Sequence, residues 1–305
     1  NTINYAKDFG KHSINALIGM EAKKENGEHV QGYGRGLIIE DLDYRYLDAV
    51  TDGKDVSNNS SSYAMVSYFG KVNYAYDEKY LVSGTLRRDA SSRFGNGNNS
   101  AIFPSVSAGW RISRENFMET TSNWLSDLKL RASWGIKGND MIDNSATYSL
   151  YYVDMNTGSY NFSGDGKTLS PGVIKTMSGN NNLKWEQTEQ FNIGIDAAFL
   201  DNRLGVTMDY FKKKTKDMLI QKPYIAAIGE GGYKWYNAAS MDNNGVEATI
   251  TWHDKINDFN YEVAFNVSYY HNEITDLPEE VKYTWGGGDG ISKTIIGQSY
   301  GSWMA

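Results

Sequence analysis

Cysteine is absent from the 305 residues, which removes a disulfide framework, a thiolate metal site and thiol catalysis together. Proline is scarce at 4 residues, and no stretch approaches the roughly 18 consecutive apolar residues that a spanning helix needs. Basic charge is also short. The net charge of −7 gives no positive field to attract a phosphate backbone, so nucleic acid is not an expected partner. No charged and apolar leader precedes Asn1, and any signal peptide is expected to have been removed or to lie outside this stretch. A mean hydropathy of −0.55 leaves a membrane open, because a barrel strand shows lipid only its alternate residues.

Aromatic residues are abundant: 22 Tyr, 11 Phe and 8 Trp favour strands over helices. The dominant period is two. Phe191, Ile193, Ile195, Ala197 and Phe199 share one face, and Asn192, Gly194, Asp196 and Ala198 share the other. After a tight Asp201-Asn202-Arg203 connection, Leu204, Val206, Met208 and Tyr210 alternate with Gly205, Thr207 and Asp209, as in the second arm of a hairpin. Val246 to His253 and Val263 to Tyr269 repeat the design. So do Tyr68 to Tyr76, Val82 to Arg87, Ser105 to Ile112 and Leu128 to Trp134. About ten strands are expected, with no internal domain boundary, so residues 1–305 read as part of one domain.

Short connections near 77–79, 200–203 and 254–259, with a medium one at 114–127, alternate with long segments at 23–60, 89–101, 138–184 and 217–240. Short turns on one rim and long loops on the other fit an antiparallel transmembrane β-barrel. Tyr74, Tyr76, Tyr80 and Trp124 lie beside short turns, where amphipathic rings meet a headgroup layer.

Chemistry-bearing motifs are few. His12, His29, His253 and His271 lack ligand spacing, and no cofactor is expected. Asp140 and Asp143 could contribute to a cation site but read better as solvated loop residues. Asp196, Asp209 and Glu247 read as lumen-facing groups in water. No nucleophile elbow, phosphate loop or glycosidase-like carboxylate pair is identifiable, so catalysis is not expected. The useful candidates are loop aromatics, on which sugars or peptides stack an apolar face: Tyr160, Phe162, Tyr224, Tyr233, Trp235 and Tyr236. Of these, Tyr160, Trp235 and Tyr236 are the expected substrate contacts; packing of the loops among themselves is the competing role for each.

Several stretches resemble SusC/RagA-type TonB-dependent outer-membrane transporters. They are Ser67 to Tyr74, Tyr80 to Asp89, Phe103 to Ile112, Leu128 to Gly135, Trp185-Glu186-Gln187-Thr188, and Asp209-Tyr210-Phe211 with its following lysines. The resemblance spans about Phe9 to Leu277 and covers a middle-to-late part of the family's barrel. It implies a 22-stranded barrel with an N-terminal plug, TonB as energy source, a SusD-like surface lipoprotein over the mouth, and uptake of oligosaccharides or peptides across the outer membrane of a Gram-negative bacterium. The plug and the final strands are expected to lie outside this stretch. Two alternatives remain, a secreted β-sandwich carbohydrate-binding module and a passive porin. The barrel reading requires Ile193, Val206 and Phe265 to lie outside any packed protein interior.

Overall fold

In the computed structural model the described residues are 1–39, 41–154, 160–162, 164, 166–167, 170, 172–223, 232–279, 283–284 and 293–300. Twelve strands form one sheet. They are β1 (Thr2–Phe9), β2 (His12–Leu37), β3 (Val50–Tyr76), β4 (Tyr80–Ser91), β5 (Ser100–Arg111), β6 (Leu125–Asn139), β7 (Leu150–Asp154), β8 (Gly172–Met177), β9 (Glu186–Phe199), β10 (Leu204–Pro223), β11 (Tyr233–Ile256) and β12 (Phe259–Asp276). An antiparallel wall runs β1 through β6, then β9 through β12, with β6 beside β9 and β12 beside β11. The count agrees with the ten strands expected, and eight of them, β3 to β6 and β9 to β12, contain the segments in which the dyad pattern is traced. The β7–β8 hairpin belongs to the long segment between β6 and β9 and joins the sheet through one parallel pairing, Tyr233 with Met177.

The register shows why alternation makes a two-faced wall. Val82 pairs with Ala108, Ala108 with Ala132, Ala132 with Ile193, Ile193 with Tyr210, Tyr210 with Val246 and Val246 with Tyr269, an apolar row across seven strands. One residue along, Asn73 pairs with Ser83, Ser83 with Ser107, Ser107 with Ser133 and Ser133 with Asn192. Because the side-chain period is two, these rows face opposite sides. Ile193 is 49% exposed, Phe265 is 62% exposed and Val206 is half-buried, so none of the three sits in a packed interior. An apolar surface this extensive marks contact with lipid or protein.

The short connections lie on one rim. Gly10, Asp77, Glu78, Asp201, Asn202 and Asn257 take positive φ there, as tight hairpin turns matched to strand twist require. Lys11 Nζ donates to Asp77 across adjacent turns at 2.9 Å and holds that carboxyl below its ordinary range. Stacked rings follow this rim: Phe9 on His12, Tyr76 on Tyr80, Trp124 on Phe199 and Phe259 on Tyr261. They form the belt expected from Tyr74, Tyr76, Tyr80 and Trp124.

Two expected loops are largely strand. The β2–β3 ladder continues from His12 opposite Tyr76 to Leu37 opposite Val50, so most of 23–60 is a projecting hairpin, roughly 40 Å long beyond Lys24. Residues 217–223 and 233–240 likewise extend β10 and β11. Alternation fades in the projecting hairpin because both faces are exposed, and the sequence then looks like a loop although its backbone is paired.

Two substitutions in the full-length protein test the assignment of faces. Ile193→Arg is expected to destabilise by about 2–4 kcal/mol in denaturant unfolding from lipid. Thr85→Ser on the opposite face is expected to stay within about 0.5 kcal/mol. Equal effects would contradict a lipid-facing Ile193.

Candidate functional site

The inward face is polar, and two of its arginines are paired with carboxylates. Arg131 on β6 donates through Nε and Nη2 to both oxygens of Asp196 at 2.7 and 2.9 Å, and through Nη2 to Asp209 at 3.0 Å. Arg131 pairs in register with Gly194, and Gly194 with Asp209. A side chain at 194 would collide with the Asp209 carboxylate, so the glycine leaves the gap through which the guanidinium reaches two strands away. Glu247 lies opposite Asp209 in the same row. A second group joins Arg87 to Asp89 at 2.7 Å, to the Ser67 hydroxyl at 2.8 Å and to Glu21 at 3.3 Å. The Arg131 group is about a third exposed, so each of its pairs contributes little stability. What they do is bridge neighbouring strands on the wetted side of the wall. Asn15, Asn73, Ser83, Ser107 and Asn192 line a shallow groove beside Arg131.

Toward the long-loop end, the same face carries a small core. Phe94, Phe103, Ile142, Ala146, Leu183 and Trp185 pack together, with Met65 and Trp235 against them. Trp185 is 4% exposed and Leu183 0%. The Trp185 ring meets Phe94 at 5.4 Å and Phe103 edge-on at 5.3 Å, and its indole N–H donates to the Asn99 carbonyl at 3.1 Å. Gly138 is where the Phe103 ring lies over the backbone with no room for a Cβ.

A polar knot flanks this core. The Asp140 carboxylate accepts from the Tyr63 hydroxyl at 2.9 Å and the Ser91 hydroxyl at 2.7 Å, with Arg93 at 3.5 Å. Arg93 also donates to Asn144 at 2.8 Å and to the Asp140 carbonyl at 3.0 Å, and its guanidinium covers the Tyr63 ring at 4.2 Å. Tyr63 lies thirteen residues beyond the Tyr76 rim, above the lipid band. Burial first, and then the Asp140 hydrogen bond, push its phenol up to about 12. Asp143 accepts from the Trp235 indole at 3.0 Å. Asp140 is therefore not a solvated loop residue but is held by β3, β4 and Arg93, whereas Asp143 stays exposed and ties the segment after β6 to β11 through the Trp235 indole. The knot is not legible in the sequence, because hydrogen-bonded partners such as Tyr63 and Asp140 are 77 residues apart and carry no local pattern.

The expected substrate contacts separate. Tyr160 is 67% exposed, pairs with Ser170 in an isolated bridge and lies 6.1 Å from the Phe162 ring. Trp235 turns toward the loop core, and Asn180 donates to its carbonyl at 2.8 Å. Tyr236, its neighbour along β11, carries the Lys234 ammonium over its ring at 5.4 Å. Tyr233 is exposed at the start of β11, and Tyr224 lies outside the described residues.

A single curved antiparallel sheet, greasy outside, polar inside, belted by aromatics at its short-turn rim and closed over by packed loops at the other, defines a segment of an outer-membrane β-barrel wall. Residues 4–295 match the family described as TonB dependent receptor-like, beta-barrel. The chain belongs to that family and is an outer-membrane protein of SusC/RagA type from a Gram-negative bacterium. It is 35% identical over 284 residues to TonB-dependent receptor P3 of Formosa agariphila, covering 92% of this chain and 27% of that protein. It is 32% identical over 295 residues to TonB-dependent receptor SusC of Bacteroides thetaiotaomicron, covering 95% and 28%. It superposes on the RagAB peptide importer in its closed-closed state with a TM-score of 0.81 at 30% identity, covering 98% of this chain and 32% of that one. The chain thus spans about a quarter to a third of these relatives. The β-sandwich alternative falls with this result, since the outward apolar face has no second sheet over it among the described residues.

Removing the common acceptor of the knot should loosen the mouth. Asp140→Ala in the full-length protein is expected to lose about 1–3 kcal/mol of local stability. Hydrogen exchange at 92–99 and 141–149 should then be roughly 10- to 100-fold faster, with Asp140→Asn in between. Unchanged protection in both segments would show that the knot does not hold them.

Proposed function

We propose that this chain is part of the wall of a TonB-dependent importer of nutrients, oligosaccharides or peptides, and performs no catalysis. The observation that carries this reading is the inward face. It is polar and carries charges of both signs, paired around Arg131 and Arg87 and otherwise spread over Lys71, Lys129, Lys137 and Glu247, so the lumen is wetted and no single sign of charge dominates it. The knot and the loop core fix part of the mouth, which suits recognition at the extracellular side. A plug and a TonB-contacting segment supplied by the rest of the protein would provide closure and energy, and a SusD-like lipoprotein would cover the mouth. RagAB, a peptide importer, and SusC support this reading as relatives.

In this reading Tyr160, Trp235 and Tyr236 contribute stacking surface to the substrate. Tyr160 is the most available, being exposed beside the exposed Phe162, while Trp235 divides its ring between the loop core and the mouth.

Uptake assays on cells that make the full-length protein decide the matter. Within a panel of labelled oligosaccharides and peptides, at least one is expected to accumulate, and loss of TonB should reduce its uptake by about tenfold or more. Uptake indifferent to TonB would indicate a passive porin instead. Alanine at Tyr160, Trp235 and Tyr236 together should weaken substrate affinity by roughly 1–3 kcal/mol in free energy, read as a raised half-saturation concentration. Unchanged affinity would remove these residues from the substrate path.

A further inference from the structure

Above Ser240, β11 loses one of its two neighbours. β12 ends with Asp276 opposite Ser240, so residues 233–239 keep β10 on one side and, among the described residues, have only the parallel pairing of Tyr233 with Met177 besides it. The chain that follows β8 runs on beside this stretch. The Ser178 N–H donates to the Tyr233 carbonyl at 3.1 Å, and the Asn180 side chain donates to the Trp235 carbonyl at 2.8 Å. Backbone pairing ends there, and side chains carry the contact on.

Asn237 makes the next link. Its Oδ1 accepts from the Lys184 N–H at 2.9 Å, and its Nδ2 donates to the Lys184 carbonyl at 2.7 Å and to the Asp217 carbonyl at 2.9 Å. The reverse orientation of the amide would set its oxygen against two carbonyls, so the three contacts fix which atom is which. An asparagine amide offers the N–H and C=O of a peptide unit at the end of a side chain. Here it gives Lys184 the two hydrogen bonds that a paired residue of a neighbouring strand would give. The Asp217 carbonyl comes within reach because β10 is irregular there: its pairing with β11 shifts between Thr215 and Met218, and Asp217 takes a φ of 55°. Lys184 adds a second link of its own, with Nζ 2.9 Å from the Asp217 carboxylate.

Lys184 lies between Leu183 and Trp185, the two buried residues at the heart of the loop core. Trp235, two residues before Asn237 and therefore on the same face of β11, packs against that core. A shift of Lys184 carries Leu183 and Trp185 with it, and the Trp235 ring loses its seat. Asn237 thus acts on Trp235 at one remove, through the segment that backs the ring.

We propose that Asn237 is a positioning residue for uptake: by pinning Lys184 to β10 and β11 it holds the Trp235 ring in the pose in which it meets the solute. This rests on the reading that Trp235 contributes to the substrate path, and it names the residue that fixes its place.

The test is uptake by cells that make the full-length protein, using the labelled oligosaccharide or peptide of the panel that the unaltered protein accumulates, and expressed per folded copy at the surface. Asn237→Ala is expected to raise the half-saturation concentration by about three- to tenfold, roughly the net worth of one hydrogen bond, with the maximal rate unchanged. Hydrogen exchange at 178–184 in the purified protein should quicken roughly tenfold. Asn237→Asp keeps the shape and the bond from the Lys184 N–H but loses both donations; it should shift both readouts the same way and serves if the alanine variant does not fold. Trp235→Ala should raise the half-saturation concentration at least as far, and the double variant should go no further than Trp235→Ala alone, since nothing is left to position once the ring is gone. A raised value in Trp235→Ala beside an unchanged one in both Asn237 variants would overturn the proposal alone, as would effects that multiply in the double variant. A lower maximal rate at unchanged half-saturation would overturn it too, by marking Asn237 as structural only. An unchanged value in Trp235→Ala would instead remove the reading beneath the proposal, and the proposal with it.

Discussion

Everything in this structure follows from the absence of water around the middle of the wall. In hydrocarbon an unpaired backbone N–H or C=O costs several kcal/mol, so the chain crosses only where each strand finds a partner on the next. An up-and-down meander satisfies this with the shortest connections, and the chain obeys it through ten successive strands, interrupted only by the excursion between β6 and β9. Once the ladder is fixed, the dyad repeat decides the rest. One residue of slip would turn Ile193 and Val206 into the lumen and Asn192 and Thr207 into lipid, so the register is held by the solvent on each side as much as by the turns.

The same constraint explains where polar chemistry is placed. Arg131, Asp196 and Asp209 face water, yet each finds a partner, and the space for that pairing comes from Gly194 rather than from any bend in the strand. At the mouth the logic reverses. There the chain leaves the lipid, and where the segments at 92–99 and 140–149 also leave the ladder, side chains do most of the ordering. The Trp185 core and the Asp140 knot do this together. Apolar burial gives the segments a common seat, and the carboxylate fixes their relative position because its donors come from β3, β4 and the following loop.

The wall was legible in the sequence because its pattern is local: Phe191 to Phe199 and Leu204 to Tyr210 announce their faces residue by residue, and Asp201-Asn202-Arg203 announces the turn. The projecting β2–β3 hairpin was not, since a strand wetted on both sides loses the apolar alternation that marks it. Asp140 is the clearest case at the site. Its neighbours in sequence, Asn139 and Met141, suggest a solvated loop, whereas its partners Tyr63 and Ser91 are on other strands and are found only by folding. Trp235 was picked out as an aromatic in a polar setting; that it shares its ring with the loop core depends on Leu183 and Trp185, which no spacing connects to it.

The two ends of the sheet extend the opening constraint to the rest of the protein. Among the described residues β1 is paired only with β2, and β12 only with β11, leaving the outer edge of β1, and that of β12 below Asn272, without strand partners. Both edge strands expose apolar residues, Ile3, Tyr5 and Phe9 on one and Val263, Phe265 and Val267 on the other, so both lie at the depth of the lipid. Eight or more unpaired groups there would cost more than the whole net stability of an ordinary domain, about 5–15 kcal/mol. The relatives, of which this chain spans about a quarter to a third, are long enough to supply strands against both. Closure is thus a property of the complete barrel, while the facing of every side chain in this wall is already settled by the ten strands themselves.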